Sequence, residues 1–157
     1  MPTEIERKFL VVSEDYKKFG QRIVIRQGFL STEKERVVRV RVAGEKAYMT
    51  IKGISKGAAR AEFEYEIPMQ DAQFMLDQLC RKPLIEKTRY KVYYEGFTWE
   101  VDEFYGDNEG LVVAEIELPS EGAVFNKPDW LGEEVTGDAR YYNANLVQKP
   151  FREWEKC

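Results

Sequence analysis

Alternation of apolar and polar residues recurs in eight segments of this chain, and it constrains the fold more than any other feature. The segments are residues 3–12, 22–30, 36–43, 46–53, 60–67, 84–94, 97–105 and 111–118. A period of two puts successive side chains on opposite faces of an extended strand. Gly44 with Glu45, and Glu95 with Gly96, mark tight turns between antiparallel neighbours. Eight strands with short connections favour a sheet closed on itself, because closure removes the exposed edges. Helical patterns are few: 13–19, 71–80 with its apolar Ala72, Phe74, Met75 and Leu79, and 138–147. The chain has 157 residues and no repeat or linker, so one domain spanning 1–157 is expected. The predicted class is α+β, dominated by β: an eight-stranded antiparallel closed barrel with a few flanking helices.

The polar faces carry charge, and the charge is sorted. "EIERK" at 4–8 opens the first strand with Glu4, Glu6 and Lys8 on one face, and Ile5 and Phe9 on the other. The third strand sets Arg39 and Arg41 against Val38, Val40 and Val42, and the fourth sets Tyr48, Thr50 and Lys52 against Met49 and Ile51. The fifth carries Arg60, Glu62, Glu64 and Glu66, and the sixth Lys87, Arg89 and Lys91. Glu100 and Asp102 share a face of the seventh, as Glu115 and Glu117 do on the eighth. A sheet with one wet face shows such alternation without any function. Segregation of sign by strand is harder to explain that way, since like charges two residues apart lie ~7 Å from each other and repel. In a closed barrel the first and last strands are neighbours, so Glu4, Glu6, Glu115 and Glu117 are expected to converge on an inward, charged face.

Absences narrow the chemistry. The chain contains no histidine, which removes Ser-His-Asp and Cys-His catalysis and histidine-held zinc. Cys80 and Cys157 form no disulfide or metal pattern, and no apolar run approaches a membrane span, so a cytoplasmic protein is expected. A formal net charge of −4 argues against nucleic acid as a partner. Converging carboxylates suit a hard cation such as Mg²⁺ or Mn²⁺. Neighbouring arginines and lysines suit phosphate. "GISKGAAR" at 53–60 is not a phosphate-binding P-loop, so side chains would have to build the anion site.

These residues resemble a known family. The E-x-E-x-K at 4–8, R-x-R at 39–41, Lys52, E-x-E at 62–64, "EKTRY" at 86–90, E-x-E at 115–117 and "EEVTGDARYYN" at 133–143 are similar, in order, to the CYTH-domain proteins, the triphosphate tunnel metalloenzymes. The resemblance implies an eight-stranded tunnel that hydrolyses a small-molecule triphosphate with Mg²⁺ or Mn²⁺, and it leaves room for a homodimer. Glu4, Glu6, Glu115 and Glu117 are the implied metal ligands. Lys8, Arg39, Arg41, Lys52, Lys87 and Arg89 are the implied phosphate binders, with Arg140 reaching in from the closing helix. Lys8, Glu62, Glu64 and Asp102 form the implied catalytic set, the three carboxylates orienting bases or positioning water. Glu66, Lys91 and Glu100 are left as solvated or pairing charges. Inorganic triphosphate is the expected substrate. Thiamine or nucleoside triphosphates, adenylate cyclisation, and a non-catalytic polyphosphate or nucleotide sensor are the alternatives. The chain departs from the family at Phe29, in Gln27-Gly28-Phe29-Leu30, where a tyrosine is usual. Either a proton-transfer role is absent or moved to a neighbour such as Tyr48, or that ring only packs.

Overall fold

The computed structural model describes residues 3–154, so Cys157 lies outside the described residues. Each predicted strand forms within a residue or two of its expected limits. In chain order they are β1 (Thr3–Val11), β2 (Gln21–Ser31), β3 (Val37–Ala43) and β4 (Lys46–Lys52). They continue with β5 (Ala59–Ile67), β6 (Ile85–Tyr94), β7 (Phe97–Phe104) and β8 (Val112–Glu117). A ninth strand, β9 (Leu131–Glu134), was not expected. The strands run in the order β5-β4-β3-β2-β6-β7-β8-β1-β9, all antiparallel, and a β1–β5 pairing closes the first eight into a barrel.

β1 is the seam. One edge pairs with β8 from Glu6 to Leu10. The other edge pairs with β5 over Thr3 to Ile5 and then with β9 at Phe9 and Val11. Helix is scarce, as expected, but its form differs. The 13–19 segment is a single 3-10 turn, Asp15–Lys18. The 71–80 segment starts earlier, as α1 (Met69–Phe74), and continues as a wider π turn, Met75–Leu79. The 138–147 segment splits into a 3-10 turn at Ala139–Tyr141 and α2 (Asn143–Gln148). No helix among the described residues is long and apolar enough to cross a membrane.

Three apolar clusters hold the fold, two on the outer face of the barrel and one within it. Phe9, Trp99, Val101, Ala114 and Ile116 face outward and are covered by Tyr16 and by Trp130 from the 119–130 loop. Val40 and Ala47 are covered by Ala72, Leu76 and Cys80 of α1 and its π turn. Gly28 permits that close approach, since a Cβ there would sit 2.8 Å from the Cβ of Cys80. The third cluster lies inside the barrel. Phe29, Val37, Ile85, Phe104 and Val113 close one end of the lumen against Val135 and, from α2, Ala144, Leu146 and Val147. The inward face is therefore not charged throughout. Its charged layer ends on an apolar plug, and Phe29, only 2% exposed, belongs to that plug.

Candidate active site

Strand register decides which charges meet. In the β1–β8 pair, Glu6 lies opposite Glu117 and Lys8 opposite Glu115. In β3–β4–β5, Arg39 lies opposite Thr50, Thr50 opposite Glu64, and Lys52 opposite Glu62. In β6–β7, Arg89 lies opposite Asp102 and Lys91 opposite Glu100. Of these residues all but Thr50, Lys91 and Asp102 line one cavity of about 480 Å³ inside the barrel, with acids on β1, β5, β7 and β8, bases on β3 and β6, and Lys8 and Lys52 set among the acids.

The expected phosphate binders Lys8, Arg39, Arg41, Lys52, Lys87 and Arg89 all line this cavity. So do the expected metal ligands Glu4, Glu6, Glu115 and Glu117, and the carboxylates Glu62 and Glu64. Asp102 does not reach the lining. It is 1% exposed and lies beneath the bases, with Oδ1 accepting from Arg89 Nε at 2.8 Å and Oδ2 paired with Lys87 Nζ at 2.7 Å. That geometry fits a residue that orients bases and leaves water to others. Arg140 does not reach the cavity either. Its guanidinium is engaged outside by Asp138, at 2.8 Å, and by the rings of Tyr141 and Trp154. The 3-10 turn at Ala139–Tyr141 carries it on the outer side, and Tyr142 and Asn143 face inward in its place.

Sequence reasoning also missed contributors. Glu100, left as a solvated or pairing charge, does pair, approaching Arg89 at 3.3 Å, and it also lines the cavity. Arg60 and Lys34 add two cations to the lining. Arg60 alternates in phase with Glu62 and Glu64, a signal that was available; Lys34 sits in a loop without periodicity and gave none. Tyr48 is not part of the lining, and the phenol found there belongs to Tyr142, whose ring lies 5.4 Å from Lys8 Nζ.

The four glutamates are not gathered into a ready metal cage: among the described residues, no three Asp, Glu, His or Cys side chains stand close enough to hold a cation. The reason is the register, which sets a base among the acids. Glu4 accepts from Lys52 Nζ at 2.9 Å, and Glu115 lies 3.6 Å from Lys8 Nζ. Burial, and then the neighbouring Glu115, push the Glu6 carboxyl well above the usual carboxylate range. Burial opposes ionisation of Glu115 as well, but Lys8, a hydrogen bond with Glu6, Arg89 and Lys87 hold it well below that range. Glu6 and Glu115 thus crowd each other where the acids meet. A hard cation fits this donor set by relieving that repulsion, completing its coordination with water and ligand oxygens, as Mg²⁺ commonly does.

The bases are under the opposite stress. Burial pushes the Lys87 ammonium down to about 7, with Arg89 and Arg41 acting in the same direction against Asp102. Burial, Arg39 and Arg89 hold Arg41 well below the arginine range. Arg41 forms no ion pair among the described residues; its Nε donates to the neutral Gln27 Oε1 at 2.8 Å. Arg39 is 8% exposed, and its Nε has no partner.

The model of the CYTH domain matches residues 2–150. The chain belongs to the CYTH family. It is 56% identical over 156 residues to an inorganic triphosphatase of Acetivibrio thermocellus, covering 99% of this chain and 100% of that protein. It is also 40% identical over 150 residues to an inorganic triphosphatase of Nitrosomonas europaea, covering 92% of this chain and 97% of that one. The crystal structure of the inorganic triphosphatase NE1496 superposes with a TM-score of 0.64 at 36% identity, over 94% of this chain and 95% of that chain.

Proposed function

We propose that this CYTH protein hydrolyses inorganic triphosphate to pyrophosphate and orthophosphate. The observation that carries the reading is the state of two buried arginines facing the cavity: Arg41 has no ion pair among the described residues, and Arg39 meets Glu64 at 3.4 Å while its Nε has no partner. A buried cation without a counter-ion is costly, and a bound polyanion removes that cost. The cavity floor is the apolar plug, with Phe29, Val37 and Ala144 exposed to it, so the site accepts a compact phosphate chain more readily than a base and ribose. The two inorganic triphosphatases named above support the same substrate.

In this reading Arg39, Arg41, Lys87 and Arg89 clamp the phosphate oxygens, and Asp102 fixes the last two of them. Lys52 is held between Glu4 and Glu62, at 2.9 and 3.4 Å, where it reaches toward both walls. Glu6, Glu115 and Glu117, with Glu4, would hold the cation, for which Mg²⁺ and Mn²⁺ are the candidates. Bound there, it would neutralise charge on the transferring phosphoryl group. Glu62 and Glu64, which line the cavity beside Lys52 and Arg39, would orient those bases or accept a proton from water. Phe29 brings no phenol to this step.

The test is a substrate panel with Mg²⁺ and Mn²⁺, read by ion chromatography. Inorganic triphosphate should yield orthophosphate and pyrophosphate, ATP should be poorer, and no cyclic AMP should form. Cyclic AMP as the main product would overturn the assignment, and tight triphosphate binding without product would favour a sensor.

A further inference from the structure

Two neutral amides, Gln27 behind the cavity wall and Asn143 on it, join two of the cavity's cations. Gln27, fully buried on β2, lies directly opposite Arg41 in the β2–β3 register. Its Oε1 accepts from Arg41 Nε at 2.8 Å, and its Nε2 donates to Asn143 Oδ1 at 2.7 Å. The same Asn143 oxygen accepts from Lys87 Nζ at 2.9 Å. The orientation of both amides is forced. Arginine and lysine only donate, so each end of the chain must present oxygen to its base. Gln27 then has only its NH₂ left to offer Asn143.

Lys87 also pairs with Asp102 at 2.7 Å, so of the two bases it is Arg41 that an amide holds without a carboxylate. Other bases of the lumen are held by carboxylates. Lys52 is held by Glu4 and Glu62, and Arg89 by Asp102 and Glu100. An ion pair fixes a base by consuming part of its charge. A neutral amide fixes it and leaves the charge for a ligand. The structure assigns Gln27 a positioning role: it holds Arg41 in place for an incoming anion without neutralising it, and Asn143 extends the hold to Lys87, tying α2 to the cationic wall. The depressed arginine pKa agrees, since an uncompensated charge is what burial disfavours. This inference rests on the proposed function in taking tripolyphosphate as the probe anion.

Three variants test it. Gln27→Glu is isosteric and keeps an acceptor for Arg41 while adding a counter-charge. Gln27→Met removes the hold. Gln73→Glu adds the same net charge on the exposed outer side of α1 and serves as control. For each, we would measure the melting temperature of ligand-free protein in chelator, tripolyphosphate affinity by calorimetry in chelator, and kcat and KM with Mg²⁺. Gln27→Glu loses the donor to Asn143 but supplies Arg41 with a counter-charge, so it should melt above Gln27→Met, yet bind tripolyphosphate about 10-fold more weakly, a change of ~1.4 kcal/mol, with the loss in KM more than in kcat. Gln27→Met should melt lower and also bind more weakly, and Gln73→Glu should bind as the wild type does. If Gln27→Glu binds as the wild type does, or melts as low as Gln27→Met, the amide serves packing alone and the inference falls. Wild-type protein that binds no tripolyphosphate at all would overturn the proposed function as well.

Discussion

Asp102 shows what a single buried carboxylate does for a cationic lumen. It takes two hydrogen bonds from Arg89, at 2.8 and 3.0 Å, and pairs with Lys87, and these partners overcome burial to bring its carboxyl down to about 2. A depressed folded-state pKa stabilises the fold above the unfolded value near 3.9, and the gain is lost as pH falls from there through 2. Asp102→Asn should therefore cost roughly 2–3 kcal/mol at neutral pH, and the difference from wild type should shrink between about pH 4 and pH 2. Urea unfolding across that range checks it; a difference that stays constant with pH would place the loss in packing. Which residues face the lumen was legible in the sequence because a period of two leaves no freedom once a strand is fixed. Which of them touch the cavity was not. Asp102 and Glu100 alternate identically on β7, yet one is 1% exposed beneath Lys87 and Arg89 and the other lines the cavity beside Arg89. Depth along a strand depends on barrel curvature, which the sequence pattern does not carry.

At the scale of elements, the inner plug links stability to the site. Leu146 of α2 is fully buried among the cluster that also holds Phe29 and Val113, and α2 presents Asn143 to Lys87 and Gln27. Leu146→Ala should cost about 2–5 kcal/mol through the cavity it leaves. Because α2 would settle differently, KM for triphosphate should rise while kcat changes less. Thermal melts and initial-rate kinetics check both. Full affinity in a clearly destabilised variant would uncouple the plug from the site. The eight long strands were legible from alternation and turn residues, but β9 was not. It is four residues, Leu131–Glu134, too short to show a period, and it is fixed by pairing with β1 and by Arg7, whose Nε donates to Glu134 at 2.8 Å. The plug escaped notice for a related reason. Its residues come from strand ends, where Val37 and Ile85 open their strands and Phe104 closes its own.

For the whole molecule, the arrangement of charge matters more than its sum. The net charge of −4 hides a lumen in which most acids and most bases gather on different strands, with Lys8 and Lys52 set among the acids. Ligand-free, some of this charge is paired, as in Lys52 with Glu4 and, between adjacent strands, Lys8 with Glu115, and some is left against its own kind, as in Arg39 with Arg41 and Glu6 with Glu115. A polyanion alone relieves the bases but draws Lys52 and Lys8 away from their carboxylates. A cation alone relieves the acids but meets the same ammonium groups. Each ligand therefore prepares the wall that the other needs, and their binding must be reciprocally coupled. Saturation near 100 times Kd stabilises a fold by about 2.7 kcal/mol, or roughly 5–11 °C in a domain of this size. The expected result is that tripolyphosphate with Mg²⁺ or Mn²⁺ raises the melting temperature by more than the sum of the two separate shifts. Hydrolysis during the scan is avoided with Ca²⁺ if it proves non-activating. Glu6→Gln, which removes one acid, should reduce the combined shift toward the value for tripolyphosphate alone and abolish most turnover. Strictly additive shifts in the wild type would mean that the acidic wall is only a solvated surface and that no cation joins the anion in the lumen.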